Sequence, residues 1–141
     1  MTLTMSSTER ESFLSGLHVG IISIPRVTKG PLTVPIWYDY KPGGEVCVIT
    51  GTDSIKGKLL AKASRISLCA QTETAPYQYV SVEGPFSTRS TTKEELLAMA
   101  IRYLGQEQGQ AYADNSANSG EGSITVSIAP ETWFSVDYNK M

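Results

Sequence analysis

Short runs of β-branched and aromatic residues recur along the chain, separated by clusters of glycine, proline and small polar residues. These runs predict strands at 19–24, 31–40, 45–50, 66–70, 77–86, 123–128 and 132–138. The run at 123–128 alternates polar and apolar residues throughout, which is typical of a strand with one face in water. Lys-Pro-Gly-Gly at 41–44 predicts a hairpin turn between the second and third runs.

Two stretches have the spacing of amphipathic helices. Thr8 and Glu11 have the separation of a capping box, ahead of apolar residues at 13, 14 and 17. Thr-Thr-Lys-Glu-Glu at 91–95 provides a second capping box before an apolar stripe, and Gly105 is placed to end that helix. Between 106 and 122 the chain is polar and weakly patterned, which favours a mobile surface loop over most of that stretch.

The balance of elements indicates a mainly β fold. We expect a barrel or sandwich of six or seven antiparallel strands with two or three short accessory helices, one of them a helical turn within 51–62. A doubly wound sheet would need strands alternating regularly with long helices, and these are missing. The 141 residues fit a single domain spanning 1–141, large enough to bury a core without a disulfide or a structural metal.

Composition and charge exclude several classes of protein. The net charge of -2 argues against binding nucleic acid or anionic membrane as the main task. Because the N-terminus lacks a signal-peptide pattern and no apolar run has the length of a membrane span, we expect a soluble, cytoplasmic protein. Cys47 and Cys69 lie in apolar runs without metal-ligand spacing, so we expect two buried thiols in a reducing compartment.

No catalytic constellation is visible in the sequence. The single histidine, His18, follows the first helix, where a structural role is favoured because a cation is stabilised at a helix end. The nucleophile-elbow, zinc-protease, phosphate-loop and dinucleotide motifs are all missing, and the carboxylates form no obvious acid–base pair. The residues alone therefore indicate no self-contained catalytic machinery.

Two segments have the residue types of a cofactor site. Ser54, Lys56 and Lys58 lie where a glycine-bearing loop leads into a helical turn, which suits a phosphate as well as it suits a solvated basic turn. Pro35 and Trp37 place a rigid and a flat aromatic residue in one strand, which can hold a planar ring, although core packing of Trp37 is equally consistent. Four further aromatic residues, at 77, 79, 133 and 134, are similarly ambiguous, and packing in the core or against a second copy is the default for each.

Taken in order, these motifs resemble the pyridoxamine-phosphate-oxidase-like split-barrel superfamily of flavin-binding proteins. The motifs are Phe-Leu at 13–14, the strand at 20–23, and the segments 31–38, 54–60, 65–69 and 76–84, so the likeness runs from Phe13 to Thr88. Within the superfamily the chain looks most like the small actinobacterial reductases that use the deazaflavin coenzyme F420. Other members bind FMN or haem, so the fold alone leaves the cofactor open.

The resemblance implies a phosphate site, with departures from the usual pattern. Ser54 and Lys56 match a Ser-Arg-Lys stretch, Ile55 stands at the arginine position, and Lys58 falls where the deazaflavin group often has a second basic residue. Leu59 replaces a residue that is frequently polar. The arginine pattern of genuine pyridoxamine-phosphate oxidases is missing from 31–37, so we reject vitamin B6 oxidation as the activity.

The implied protein is an F420-dependent oxidoreductase that transfers a hydride between the deazaflavin and an unsaturated small-molecule substrate, acting as a homodimer. The implied cofactor contacts are Lys56 and Lys58 at the phosphate, Thr50, Gly51 and Ser54 as polar neighbours, Val34, Pro35, Ile36 and Trp37 along the ring, and Tyr79 as a partner-side contact. The alternatives are an FMN-binding oxidoreductase and a carrier that holds a flavin or deazaflavin without turnover. A haem-binding relative is less favoured because His18 lies outside the expected pocket.

Overall fold

The fold is mainly β, as predicted. The computed structural model describes residues 2–115 and 122–141. Its strands are β1 (Gly20–Ile24), β2 (Leu32–Ile36), β3 (Tyr38–Asp39), β4 (Val46–Gly51), β5 (Arg65–Gln71), β6 (Gln78–Ser90), β7 (Ser123–Ile128) and β8 (Thr132–Asp137). Its helices are α1 (Ser7–Ser15), α2 (Ile55–Leu60), α3 (Lys93–Leu104) and α4 (Gln106–Asn115), with a 3-10 turn at Tyr138–Lys140.

The strands form one antiparallel sheet that curls on itself. The order of neighbours is β2-β1-β5-β6-β7-β4-β3, and β8 pairs with β6. The two ends of this path, β2 and β3, are consecutive in the chain and meet at Trp37. The run at 31–40 is therefore two strands rather than one, and at Trp37 the chain passes from one edge of the open, curled sheet to the other.

The longest strand, β6, is shared between the two halves of the sheet. Its first part pairs with β5 and β8, and its second part, from Phe86 to Ser90, pairs with β7. The strand extends beyond the predicted end at 86 because it exchanges β8 for β7 on the same edge. At Gly84 a Cβ would collide with the carbonyl oxygen of Ala129, so only glycine fits where the turn between β7 and β8 crosses β6.

Alternate residues of the strands fill the interior. The fully buried side chains from the sheet are Ile22, Ile24, Tyr38, Val46, Val48, Leu68, Val80, Val82, Val126 and Ile128. Leu14 of α1 and Leu60 of α2 belong to the same cluster. Burial of each aliphatic side chain contributes about 1.5–3 kcal/mol, so this cluster holds the curled sheet together.

The capping box of α1 differs from the predicted one. Ser6 accepts a hydrogen bond from the backbone N–H of Glu9 at 3.1 Å, and the Glu9 carboxylate accepts one from the N–H of Ser6 at 2.7 Å. The predicted box of Thr8 and Glu11 is wrong, because both pairs have the required spacing but the helix begins at Ser7. Glu11 instead accepts hydrogen bonds from the Tyr40 hydroxyl at 2.9 Å and from the N–H of Gly43 at 2.7 Å, so it ties α1 to the hairpin at 41–44.

The second predicted helix is confirmed, and a further helix follows it. Thr92 and Glu95 form the capping box of α3, and Gly105 ends the helix with a φ of 87°. The predicted loop is wrong for 106–115, which form α4, while 116–121 lie outside the described residues. A Cβ on Gly109 would lie 2.6 Å from the Cα of Ile101, so this glycine lets α4 pack closely on α3. The polar sequence of α4 does not by itself predict a helix, because this helix depends on its packing against α3.

Among the residues that the structure describes, no helix combines the length and the apolar character that crossing a membrane requires.

Candidate functional site

Trp37 lies where the chain passes from β2 to β3, between two helices. Its indole stacks on the ring of Tyr103 in α3, with centroids 5.0 Å apart and an interplanar angle of 5°. The ring of Tyr112 in α4 lies 5.6 Å from it, tilted by 52°. Offset stacking of this kind is favourable, so the two tyrosines fix the plane in which Trp37 lies.

The hydroxyl of Tyr103 ties α3 to the strand switch at Trp37. It donates to the carbonyl oxygen of His18 at 2.6 Å and accepts from the backbone N–H of Tyr38 at 3.0 Å. The carbonyl oxygen of Tyr38 lies 3.0 Å from the same hydroxyl. Tyr103 is therefore held at both its ring and its hydroxyl, and the orientation of Trp37 is set before any ligand binds.

Two pockets meet at Trp37 and Tyr112, which line both. The first, called here the Trp37 pocket, has a volume of about 190 Å³ and is lined by Trp37, Ile49, Thr50, Gly51, Leu96, Met99, Tyr112 and Ser123. The second, the β2 pocket, has a volume of about 310 Å³ and is lined by Val19, Pro35, Ile36, Trp37 and Tyr112. Five of the residues expected at the cofactor site are thus grouped around one indole. Val34 packs against the core instead.

Ser54 builds the turn that leads from β4 into α2. Its hydroxyl accepts from the N–H of Gly57 at 3.0 Å and donates to the carbonyl oxygen of Gly51 at 2.7 Å. The hydroxyl of Thr50 lies 3.2 Å away. A Cβ on Gly57 would stand 2.5 Å from the carbonyl oxygen of Thr52, so the turn closes this tightly only with glycine there. The hydroxyl of Ser54 is used by the turn itself, which fixes the start of α2 beside Thr50 and Gly51.

The structure does not bring Lys56 and Lys58 onto one face. Both belong to α2 and stand two positions apart, which separates them by about 200° around a helix. Lys58 is exposed and lines an open cleft with Thr52, Thr88 and others, while Lys56 is half-buried. The helix ends at Leu60. Lys62, the next lysine along the chain, therefore lies outside α2.

Tyr79 lies apart from both pockets. It is on the outer face of β6, opposite Gln71 of β5 and Val136 of β8. The ring of Phe134 lies 6.1 Å from it, tilted by 32°. Within one chain, Tyr79 is therefore not among the residues that line the Trp37 pocket or the β2 pocket.

The helical wall of the site was not identified from the sequence. Leu96 and Met99 of α3 line the Trp37 pocket and Tyr103 stacks on Trp37, but the apolar stripe predicted for this helix consists of Leu97, Ala100, Ile101 and Leu104. Tyr112 belongs to the stretch interpreted as a loop. No pattern in the sequence predicts the contact of Tyr112 with Trp37.

A third cavity, called here the α3 pocket, lies between α3 and the sheet. It has a volume of about 180 Å³ and is lined by Asp39, Cys47, Ile49, Arg89, Glu95, Ala98, Met99, Arg102 and Thr125. Burial raises the pKa of Glu95, but hydrogen bonds from Thr125, Arg89 and the N–H of Thr92 outweigh it, so the net pKa is lowered and the carboxylate is ionised at neutral pH.

His18 has a structural place outside all three cavities. Its Nε2 donates to the carbonyl oxygen of Phe13 at 3.1 Å, and its ring stacks on that of Phe13 at 4.4 Å. Burial lowers the pKa of His18, so the ring is neutral and not the cation expected at the helix end.

The two cysteines are half-buried rather than buried as expected, and both are free thiols. The Sγ of Cys47 lies 3.5 Å from the hydroxyl of Ser127, on the side of β4 that α3 covers. Cys69 lies on β5 and does not line the α3 pocket. The two thiols therefore occupy separate environments.

Comparison with known proteins supports the expected fold. No family model and no curated protein sequence matches the chain. A conserved hypothetical protein, Rv2991 from Mycobacterium tuberculosis, has a similar solved structure: TM-score 0.78, 21% identity, covering 98% of this chain and 88% of that one. An F420 reductase gives TM-score 0.73 at 17% identity, covering 88% of this chain and 94% of that one.

A FAD and haem binding protein from Mycobacterium smegmatis is also similar, with TM-score 0.66 and 14% identity over 94% of this chain and 70% of that one. The fold is therefore the one that this F420 reductase and this FAD and haem binding protein have, which is the split barrel that the sequence motifs indicated. At these identities the likeness defines the fold, and the cofactor must be argued from the site.

Proposed function

We propose that this chain is an F420-dependent oxidoreductase that reduces an unsaturated small molecule. The observation that carries the proposal is the Trp37 pocket, which joins a pre-oriented indole to Thr50 and Gly51 at the end of β4, just before the turn that leads into α2. Its likeness in fold to an F420 reductase supports the same class of cofactor. Lys58 follows one turn later and supplies positive charge beyond the pocket.

The residues present fit a flat cofactor with an anionic extension. Trp37 and Tyr112 provide aromatic walls, and Pro35 makes the neighbouring strand rigid. Ser54 and Gly57 hold the turn at which the phosphate would lie, with Lys58 close by in sequence. The protein's part is to bind and orient the cofactor.

The absence of an acid–base pair among the pocket residues is consistent with this chemistry. When bound, a reduced deazaflavin supplies a hydride to one carbon of a C=C bond and loses two electrons, while water supplies the proton to the other carbon. The chain then has only to hold the acceptor against the ring face and to limit the access of solvent.

Alanine substitution of Lys56 and Lys58 tests the phosphate contacts. A charge-assisted contact contributes roughly 1.5–3 kcal/mol. Because the two side chains lie on different faces of α2, we expect Lys58→Ala, one turn after Ser54, to weaken F420 binding about tenfold or more, and Lys56→Ala to have the smaller effect. Lys29→Ala is the matched control, because it removes an exposed lysine before β2, at the far end of that strand from Trp37. An unchanged Kd in the double variant, with the fold intact by circular dichroism, would show that α2 is an ordinary solvated turn and does not bind the phosphate.

The outer face of the sheet supports a homodimer. Its outward side chains on β1, β5, β6 and β8 include Ile21, Cys69, Tyr79, Phe134 and Val136, and Phe134 is 61% exposed. The two tryptophans do not add to this surface, because Trp37 stacks on Tyr103 and the ring of Trp133 lies 4.5 Å from the guanidinium of Arg10. In a dimer, Tyr79 could reach the partner's site without lining its own.

Light scattering at micromolar concentration tests the dimer. We expect about twice the chain mass of 15.3 kDa. Phe134→Lys should give a folded monomer, while Val27→Lys, at a 95% exposed turn position, should leave the dimer intact. If the unsubstituted protein stays monomeric and still binds cofactor, the proposed dimer is wrong.

FMN is the second candidate cofactor. It shares the flat tricyclic ring and ribityl phosphate, and the likeness to a FAD and haem binding protein favours a flavin. Steady-state kinetics distinguish an enzyme from a carrier that has no turnover. Only an enzyme increases the rate at which the reduced cofactor is oxidised when an unsaturated acceptor is added.

A further inference from the structure

The α3 pocket adjoins the proposed ring site. It shares Ile49 and Met99 with the Trp37 pocket, so these two side chains form the boundary between the cavities. Ile49, Ala98 and Met99 give it an apolar floor, and its volume is about 180 Å³. Because an apolar cavity of roughly 150 Å³ holds one benzene molecule, this pocket is the right size for a single ring.

One end of the pocket carries a donor that is fixed in place and still available. Nε of Arg102 donates to the carbonyl oxygen of Tyr38 at 3.1 Å, and Nη2 donates to that of Gly16 at 2.9 Å. Nη1 makes no hydrogen bond within residues 2–115 and 122–141. It lies 3.8 Å from Oδ1 of Asp39, too far for a direct hydrogen bond. A donor and an acceptor thus stand side by side.

At the other end of the pocket, the polar side chains already have hydrogen-bond partners within the protein. Arg89 donates to the Glu95 carboxylate, which also accepts from the hydroxyl of Thr125 at 2.7 Å. Thr125 is only 3% exposed. Recognition by hydrogen bonding therefore falls to Arg102 and Asp39.

We propose that the α3 pocket binds the carbonyl end of the acceptor substrate, and that this substrate is a neutral cyclic amide, such as a lactam or an imide. Its carbonyl oxygen accepts from Nη1 of Arg102, and its adjacent N–H donates to Asp39. An anion fits poorly because the Asp39 carboxylate repels it. The role as acceptor rests on the proposed function, whereas binding of the amide does not.

The two cysteines provide a test that needs no cofactor. Cys47 lines the α3 pocket, whereas Cys69 on β5 lies outside it, on the face proposed for the dimer, so its alkylation rate reports a change in the dimer or in the fold rather than in the pocket. Rates of alkylation by iodoacetamide are measured for each thiol by peptide mass spectrometry, with and without 2-pyridone, a single-ring lactam. We expect saturable protection of Cys47, about threefold when the lactam is at twice its Kd, and no change at Cys69.

A second lactam and a variant identify the polar contacts. N-methyl-2-pyridone lacks the N–H and should bind about tenfold more weakly, because Asp39 is left without its donor. In Asp39→Ala the two lactams should bind equally. The variant should fold, since the ion pairs of Asp39 within the described residues are with the exposed Lys41 and, at 3.8 Å, with Arg102.

Equal slowing of both cysteines, no slowing at all, or equal protection of Cys47 by benzoate would overturn the inference. Protection in a chain that does not bind F420 would contradict the acceptor role and leave only a lactam site. F420 binding without protection would reject the lactam inference and leave the proposed function standing.

Discussion

Replacing Tyr103 by phenylalanine removes one hydroxyl from the contact that fixes the strand switch at Trp37. The ring and its stacking on Trp37 are kept, so the substitution isolates the hydrogen bonds. The hydroxyl donates to His18 at 2.6 Å and accepts from the N–H of Tyr38 at 3.0 Å. Because each such bond contributes about 0.5–1.5 kcal/mol net, we expect a loss of about 1–3 kcal/mol in the free energy of unfolding.

Urea unfolding followed by far-UV circular dichroism measures this loss. Tyr112→Phe is the control, since Tyr112 is 47% exposed and its ring also contacts Trp37. Tyr103→Leu additionally removes the aromatic pair, which contributes about 0.5–1.5 kcal/mol, and should be the least stable of the three. A change below about 0.5 kcal/mol for Tyr103→Phe would refute the claim that this hydroxyl sets the position of Trp37.

Two further predictions concern the turn before α2 and the pH dependence of stability. Gly57→Ala should lower the free energy of unfolding in urea by about 1–3 kcal/mol, because its Cβ would press on the backbone oxygens at 51 and 52. Gly30→Ala is the control and should be close to neutral, because the space around Gly30 is open. Equal effects of the two substitutions would contradict the tight turn. Glu95 has a lowered pKa in the folded protein, so its contribution to stability is full above the ordinary glutamate pKa of 4.5 and is lost as the pH falls through the lowered value. The fall in stability between about pH 5 and pH 3 should therefore be smaller in Glu95→Gln, and an unchanged pH profile would exclude this role.

The fold could be predicted from the sequence because its main signals are local and periodic. The alternation at 123–128 and the β-branched runs gave every strand to within a few residues, apart from the division at Trp37 and the extension of β6. Those two exceptions depend on which strand pairs with which. Hydrophobic pattern along one strand carries no information about a change of partner.

The site could be predicted only in part, because it too depends on contacts between elements that are distant in the sequence. Trp37 stood out by residue type, whereas Thr50 and Gly51 were implied by the family resemblance, and the structure places all three on one pocket. Tyr112 reaches Trp37 only because Gly109 lets α4 lie against α3, which is a tertiary effect. Lys56 and Lys58 were adjacent in the sequence pattern, but helical geometry separates their side chains.

The most direct measurement is a side-by-side titration of F420 and FMN, following quenching of cofactor or tryptophan fluorescence at low and high salt. The two ligands share a ring and a phosphate, but F420 continues into a lactyl-oligoglutamate tail, and Lys56, Lys58 and Lys62 place positive charge on the segment after the turn. We predict tighter binding of F420, weakening with salt because exposed charges are screened over about 8 Å at physiological ionic strength. Tighter binding of FMN, or F420 affinity that is indifferent to salt and tail length, would contradict the assignment.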